Sequence, residues 1–159
     1  MLSKEMKLVL VRGIQASGKT TWAKNWVSED PEHRVRISYD DARRECGVYW
    51  IPSREHYIRA CTIEKLRLAL TCGYDVVIDN MNLSPNSVQA YILMAEVYGA
   101  KIENVEFRTP LEVCLERDSK RTGDERIGEE VIRATYERYK WWYECKFEGV
   151  KPLNNKSND

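Results

Sequence analysis

The sequence predicts an α/β domain, a mainly parallel sheet of four to five strands with helices on both faces. Three observations predict it. Short apolar runs alternate with helix-period segments along the chain. Polar or glycine-rich turns separate them. The first strand-to-helix turn, Gly13-Ile14-Gln15-Ala16-Ser17-Gly18-Lys19-Thr20, fits G-x-x-x-x-G-K-[ST]. In sheets of this kind ligands bind beyond the carboxyl ends of the strands.

Each element has its own signal. Lys7 to Arg12 is a short apolar run suited to a buried strand. After the glycine turn, Trp22, Ala23, Trp26 and Val27 share one helix face, and Pro31 stops that helix. Arg34 to Ser38 alternates polar and apolar, as a second strand. A helix follows from Asp40 or Asp41, with Asp41 as the expected N-cap. Gly47 to Pro52 is irregular and aromatic. Ser53-Arg54-Glu55 then opens a helix whose apolar face is Ala60, Ile63, Leu66 and Leu70, closed by Gly73.

Tyr74 to Asp79 is a third strand, and its β-branched run predicts burial between layers. Ser84 and Pro85 take the N-cap and first position of a helix with a buried stripe of Val88, Tyr91, Ile92 and Ala95. Ala100 to Phe107 reads as a fourth strand. Thr109-Pro110 caps a helix bearing Leu111, Cys114 and Leu115. One last helix carries Val131 or Ile132, Thr135, Tyr139 and Trp142. Residues 1–150 are expected to form a single domain, and 151–159 a polar, frayed tail.

Composition narrows the function. Equal counts of 25 basic and 25 acidic residues argue against a broad nucleic-acid-coating surface, but leave room for a local basic groove. No apolar run approaches the roughly 20 residues that span a membrane. Met1 to Met6 has no signal-peptide core, so a cytoplasmic protein with no membrane partner is expected. The five cysteines include no C-x-x-C and read as buried thiols. His33 and His56 form no zinc spacing and are expected at the surface.

The glycine turn reads as a phosphate cradle. Backbone N–H groups close around a phosphate at a helix N-terminus, where the dipole favours negative charge. Gly13, Ala16, Ser17, Gly18, Lys19, Thr20 and Thr21 are therefore the expected nucleotide contacts. Lys19 would reach the β- and γ-phosphates, and the Thr20 hydroxyl would ligate Mg²⁺. The carboxyl-end rule adds Asp40 and Asp41 after the second strand, Asp79 after the third and Arg108 after the fourth. Phosphoryl transfer needs a carboxylate near the acceptor hydroxyl and positive charge on the migrating group. Asp40 and Arg43, three residues apart on one helix face, fit both demands.

Four blocks carry a family resemblance. They are Gly13 to Ala23, Ser38-Tyr39-Asp40-Asp41-Ala42-Arg43, Val77 to Pro85, and Arg117-Asp118-Ser119-Lys120-Arg121. In this order they resemble the kinase module of phage polynucleotide 5′-kinases, a half that larger relatives fuse to a 3′-phosphatase. The resemblance implies a P-loop kinase fold with a helical lid. It implies that Asp40 is the general base and that Arg43 contacts the migrating phosphate. Asp79 would steady that arginine, and Asp40 and Asp79 would reach Mg²⁺ through water. Arg117 and Arg121 would hold the donor nucleotide, ATP or another NTP, with Arg121 near its phosphates. The acceptor would be the 5′-OH end of DNA or RNA, and the setting nucleic-acid repair, in host cytoplasm if the chain is phage-encoded.

No phosphatase sequence follows, so a kinase alone is expected. The segment between Arg43 and Asp79 is shorter than in the best-known member, and its aromatic content differs. Trp50 there is a candidate for base stacking, whereas Trp141-Trp142-Tyr143 reads as packing. Two other functions compete. One is a P-loop kinase for a small metabolite, nucleoside or modified base. The other is a non-catalytic nucleotide-binding module that needs Lys19 but not Asp40.

Overall fold

The structure is a computed structural model and describes residues 5–145; the expected tail at 151–159 and the boundary at 150 lie outside the described residues. Four strands form the sheet: β1 (Lys7–Arg12), β2 (Arg34–Ile37), β3 (Asp75–Asp79) and β4 (Lys101–Glu106), in the order β2-β3-β1-β4. Every pair is parallel. Leu8, Val9, Leu10 and Val11 are all buried, because β1 has strands on both edges and helices on both faces.

The two-residue period of β1 sorts the core. Leu8 and Leu10 join Val76 and Ile78 against Leu66 and Leu70 of α3 (Glu55–Thr71) and Tyr91 and Ala95 of α4 (Pro85–Tyr98). Val9 and Val11 join Val77, Val105 and Phe107 on the other face, against Ala23, Trp22 and Trp26 of α1 (Lys19–Glu29). A third cluster of Ile14, Ala16, Leu83, Cys114, Ile132 and Trp142 lies under the glycine turn. It seats α5 (Leu111–Ser119), α6 (Glu129–Arg138) and α7 (Lys140–Glu144) against the carboxyl-end loops. The remaining helix, α2 (Tyr39–Glu45), follows β2 directly.

Several local expectations change. The N-cap of α2 is Ser38, whose hydroxyl accepts from the Asp41 N–H at 3.1 Å. Asp41 is instead paired with Arg36 at 2.7 Å. The stripe of α3 is Ile58, Thr62, Leu66, Ala69 and Leu70, and Ala60 faces solvent. Thr62 is tolerated there because its hydroxyl donates back to the Ile58 carbonyl at 3.0 Å. Thr109 does not cap α5; its hydroxyl donates to the Ser17 carbonyl at 2.8 Å and ties that loop to the glycine turn.

The last helix breaks at Tyr139 into α6 and α7. The break lets Trp142 enter the third cluster while the Tyr143 hydroxyl donates to the Thr109 carbonyl at 2.9 Å. Only Cys114 is a buried thiol; Cys46, Cys72 and Cys145 are exposed and Cys61 is half-buried. Both histidines are exposed. Among the described residues no helix is long and apolar enough to cross a membrane.

Asn82 ties the strand ends together. Its Nδ2 donates to the Val11 carbonyl at 2.6 Å and the Ile78 carbonyl at 2.9 Å, so it bridges the ends of β1 and β3. Its own φ is 53°, a left-handed conformation that Asn tolerates better than most residues. Asn82→Ala removes both bonds and leaves two buried carbonyls short of a partner. The expected cost is about 2–4 kcal/mol in urea unfolding. A loss below about 0.5 kcal/mol, the size of an ordinary surface change, would contradict this role.

Candidate active site

The glycine turn leaves β1 and curls back on itself. A side chain at Gly13 would bring its Cβ within 2.7 Å of Ser17 Oγ and 2.8 Å of the Phe107 carbonyl, so only glycine fits. Ala16 sits at φ 61°, a cost the chain bears because the residue is locked into the buried cluster. Gly18, at φ 107°, is the N-cap of α1. No side chain caps that helix, and no acidic residue lies in its first turn. Its first N–H groups are therefore left for an anion.

Lys19 is buried and folds across the turn. Its Nζ donates to the Ile14 carbonyl at 2.6 Å and contacts Ser17 Oγ at 3.5 Å. Burial pulls its pKa down to about 8; the charges of Asp79 and Asp40 oppose the shift, and Arg121 adds to it. Thr20 and Thr21 are exposed on the first turn of α1.

The strand register brings the carboxylates alongside. Asp79 lies opposite Val11, at the point where the glycine turn begins. Its Oδ2 accepts from Arg36 Nε at 2.8 Å. The resemblance set Asp79 against Arg43; the structure pairs Asp79 with Arg36, because Arg36 lies on the adjacent strand opposite Val77. Arg43 is held elsewhere. Its Nη1 donates to Asp40 Oδ1 at 2.8 Å, its Nε donates to Glu55 Oε2 at 3.0 Å, and its Nη2 pairs with Glu55 Oε1.

Burial works to lower the Arg43 pKa, but the hydrogen bonds and charge of Glu55 and the charge of Asp40 outweigh it and raise it. Arg43 is thus a permanent cation. Tyr49 adds a second donor to Asp40 Oδ1 at 2.6 Å. Burial and that hydrogen bond push the Tyr49 phenol up to about 12, so it stays a donor at neutral pH.

The helix α5 and the segment after it lie beside the glycine turn. Arg117 Nη1 donates to the Ala16 carbonyl at 3.4 Å, directly over the glycine turn. Arg121 lies near enough for its charge to act on Lys19. Asp118 between them is buried. Its two oxygens accept from the Ile127 and Gly128 N–H groups, each at 2.9 Å, which ties the end of α5 to the start of α6. Arg108 is held by residues outside the glycine turn. It pairs with Glu106 at 3.0 Å and stacks over Trp142 at 5.1 Å.

Sequence reasoning missed Arg36, Tyr49, Glu55 and Asp118. Arg36 carried one usable sign, a charge repeated at every second position of a short strand beside the site. Asp118 carried another, the single acid in Arg117-Asp118-Ser119-Lys120-Arg121. Glu55 and Tyr49 meet Arg43 and Asp40 only through the fold.

The donor set suits a hard cation. The Thr20 hydroxyl and the Asp40 and Asp79 carboxylates are oxygen donors of the kind Mg²⁺ takes, along with water and substrate phosphates. Among the described residues no three His, Cys, Asp or Glu side chains cluster as a self-sufficient metal cage.

Comparisons with known proteins agree with this fold. Residues 8–145 match the family model described as an AAA domain. A protein of Autographa californica nuclear polyhedrosis virus described as a bifunctional polynucleotide kinase/RNA ligase is 27% identical over 87% of this chain and 21% of its own length. The L-seryl-tRNA(Sec) kinase of Methanococcus maripaludis is 25% identical over 83% of this chain and 52% of its own. A chain of the Pnkp1/Rnl/Hen1 RNA repair complex superposes with a TM-score of 0.79 and 25% identity, over 98% of this chain and 50% of that one. The present chain thus spans from about a fifth to half of these relatives' length.

The depressed Lys19 pKa gives a test. Phosphate binding needs the charged lysine, so the bound state raises its pKa. Below pH 8 the charge is already present in the free protein. Above it, binding must take up a proton, and Kd for ATP should climb toward about tenfold per pH unit. Calorimetry between pH 7 and 10, in buffers of different ionisation heat, reads both the Kd and the proton uptake. A Kd flat across that range would contradict the assignment.

Proposed function

The chain belongs to the AAA domain family and is a P-loop kinase; from that premise we propose that it phosphorylates the 5′-hydroxyl end of a polynucleotide, DNA or RNA, using ATP. The observation that carries the reading is the Asp40–Arg43 pair beside the glycine turn. A carboxylate for an acceptor hydroxyl and a permanent cation for a migrating phosphoryl group stand within one hydrogen bond of each other. The viral and repair-complex relatives support a nucleic-acid acceptor.

The transfer is direct and in line. Asp40 accepts the proton of the 5′-hydroxyl as the new O–P bond forms, while the bond from the γ-phosphorus to the β–γ bridging oxygen breaks and ADP leaves with that electron pair. Tyr49 and Arg43 hold its Oδ1, so Oδ2 is the oxygen that meets the hydroxyl. Arg43, anchored by Glu55, stabilises charge on the phosphoryl group. Lys19 exchanges the Ile14 carbonyl for the β- and γ-phosphates. Thr20 would hold Mg²⁺ directly, and Asp40 and Asp79 would hold it through water; the ion would supply charge neutralisation for the donor phosphate oxygens. Gly13, Ala16, Ser17, Gly18 and Thr21 line the donor phosphates, while Arg117 and Arg121 close over the nucleotide and keep water out.

A second reading keeps all of this but ends on the hydroxyl of a small molecule. The zero net charge favours it, since no global field draws in a polyanion. The two readings share the donor half and the base.

Asp40→Asn separates catalysis from nucleotide binding. With a 5′-OH oligonucleotide and γ-labelled ATP, the variant should lose on the order of 10²–10⁴ in transfer rate. Measured without Mg²⁺, its Kd for ATP should stay within about twofold, because Asp40 then has no tie to the donor phosphates. Wild-type transfer by Asp40→Asn would remove it as the base. Equal loss of ATP binding would make it part of the donor site instead.

A further inference from the structure

We propose that Trp50 is the stacking platform for the nucleobase of the acceptor's terminal 5′ nucleotide. The inference rests on the polynucleotide reading and adds a binding subsite to it. Trp50 is 56% exposed, in the irregular segment between α2 and α3. An exposed indole costs hydration free energy unless something covers it.

Its position supplies the occupant. The Arg43 guanidinium lies over the Trp50 ring at 5.3 Å from the centroid. The same guanidinium donates to Asp40 at 2.8 Å. A single planar cation therefore separates the ring from the carboxylate that takes the acceptor proton. A 5′-hydroxyl delivered to Asp40 brings its own base within reach of the indole.

The platform is also fixed in place. Arg54 Nη2 donates to the carbonyls of Val48 and Tyr49, and the Arg54 N–H donates to the Ile51 carbonyl at 2.9 Å. The Tyr49 hydroxyl is pinned to Asp40. Bonds therefore hold the chain on both sides of Trp50 while the residue stays more than half exposed beside Arg43. Val48 and Ile51, close to Trp50 in the chain, are exposed as well, so this segment presents apolar side chains to solvent. Stacking of this kind accepts any base, because every base has a π face.

The test uses two 5′-OH oligonucleotides that differ only in the terminal nucleotide, adenosine in one and an abasic sugar in the other. Wild-type protein should favour the base-bearing strand on the order of tenfold in kcat/KM, mainly through KM. In Trp50→Ala the ratio should fall to about one, whatever loss the two strands share. That shared loss reports support of Arg43; the ratio reports stacking. Trp50→Phe should keep most of the preference. A wild-type ratio retained by Trp50→Ala, or a wild-type protein that labels both strands equally, overturns the platform and leaves the 5′-end reading standing. A wild-type protein that labels neither strand overturns the 5′-end reading, and the platform with it.

Discussion

The parallel register of three strands is the constraint on which the site depends. Val11 opposite Asp79 and Ile37 opposite Ile78 bring three strand ends to one edge. From that edge leave the glycine turn, the Ser38–Asp40 corner and the Asn80–Leu83 loop. The apolar faces of β1 and β3 fix the register, since a one-residue slip would turn Leu8 and Leu10 out of one core layer and Val9 and Val11 out of the other. The polar ties then lock the edge. Asn82 bridges β1 and β3, Met81 accepts from the Gly13 N–H at 3.1 Å, and the Asn80 side chain accepts from the Tyr39 N–H at 2.8 Å. The last bond couples α2, and so Asp40 and Arg43, to the end of β3.

Charge at this edge is arranged in pairs with different partners. Arg36 bridges Asp79 and Asp41, and Arg43 bridges Asp40 and Glu55. The first pair lies deeper: the Asp79 side chain is 2% exposed and that of Asp40 52%. A buried ion pair is costly to open and serves as scaffold. A half-exposed one exchanges partners with little penalty, which suits a carboxylate that must receive a hydroxyl. Glu55 holds Arg43 independently of Asp40, so in the proposed transfer the cation would need only a small adjustment to meet a phosphoryl group. Lys19, by contrast, donates to the protein's own Ile14 carbonyl, a bond the proposed donor phosphates would have to replace.

Local chemistry was legible in the sequence; partnerships between distant residues were not. The glycine turn, all four strands and Asp40 with Arg43 on one helix turn follow from spacing alone. Asp41 reads as the cap of α2 because Ser38 and Asp41 are both good cap residues; in the fold Ser38 accepts from the Asp41 N–H, and the Asp41 carboxylate pairs with Arg36 instead. Ala60 was drawn into the α3 stripe by its apolarity, although a self-bonded Thr62 takes the buried place. Glu55 escaped notice because it reads as an ordinary first-turn acid of α3. Its contact with Arg43 exists only once α2 and α3 pack.

The central claim is the identity of the acceptor. One measurement bears on it directly: kcat/KM for label transfer from γ-labelled ATP to 5′-OH oligonucleotides and to free nucleosides, side by side. The account predicts efficient transfer to the 5′ ends of the oligonucleotides and far weaker transfer to nucleosides. Transfer to nucleosides with none to oligonucleotides would contradict it.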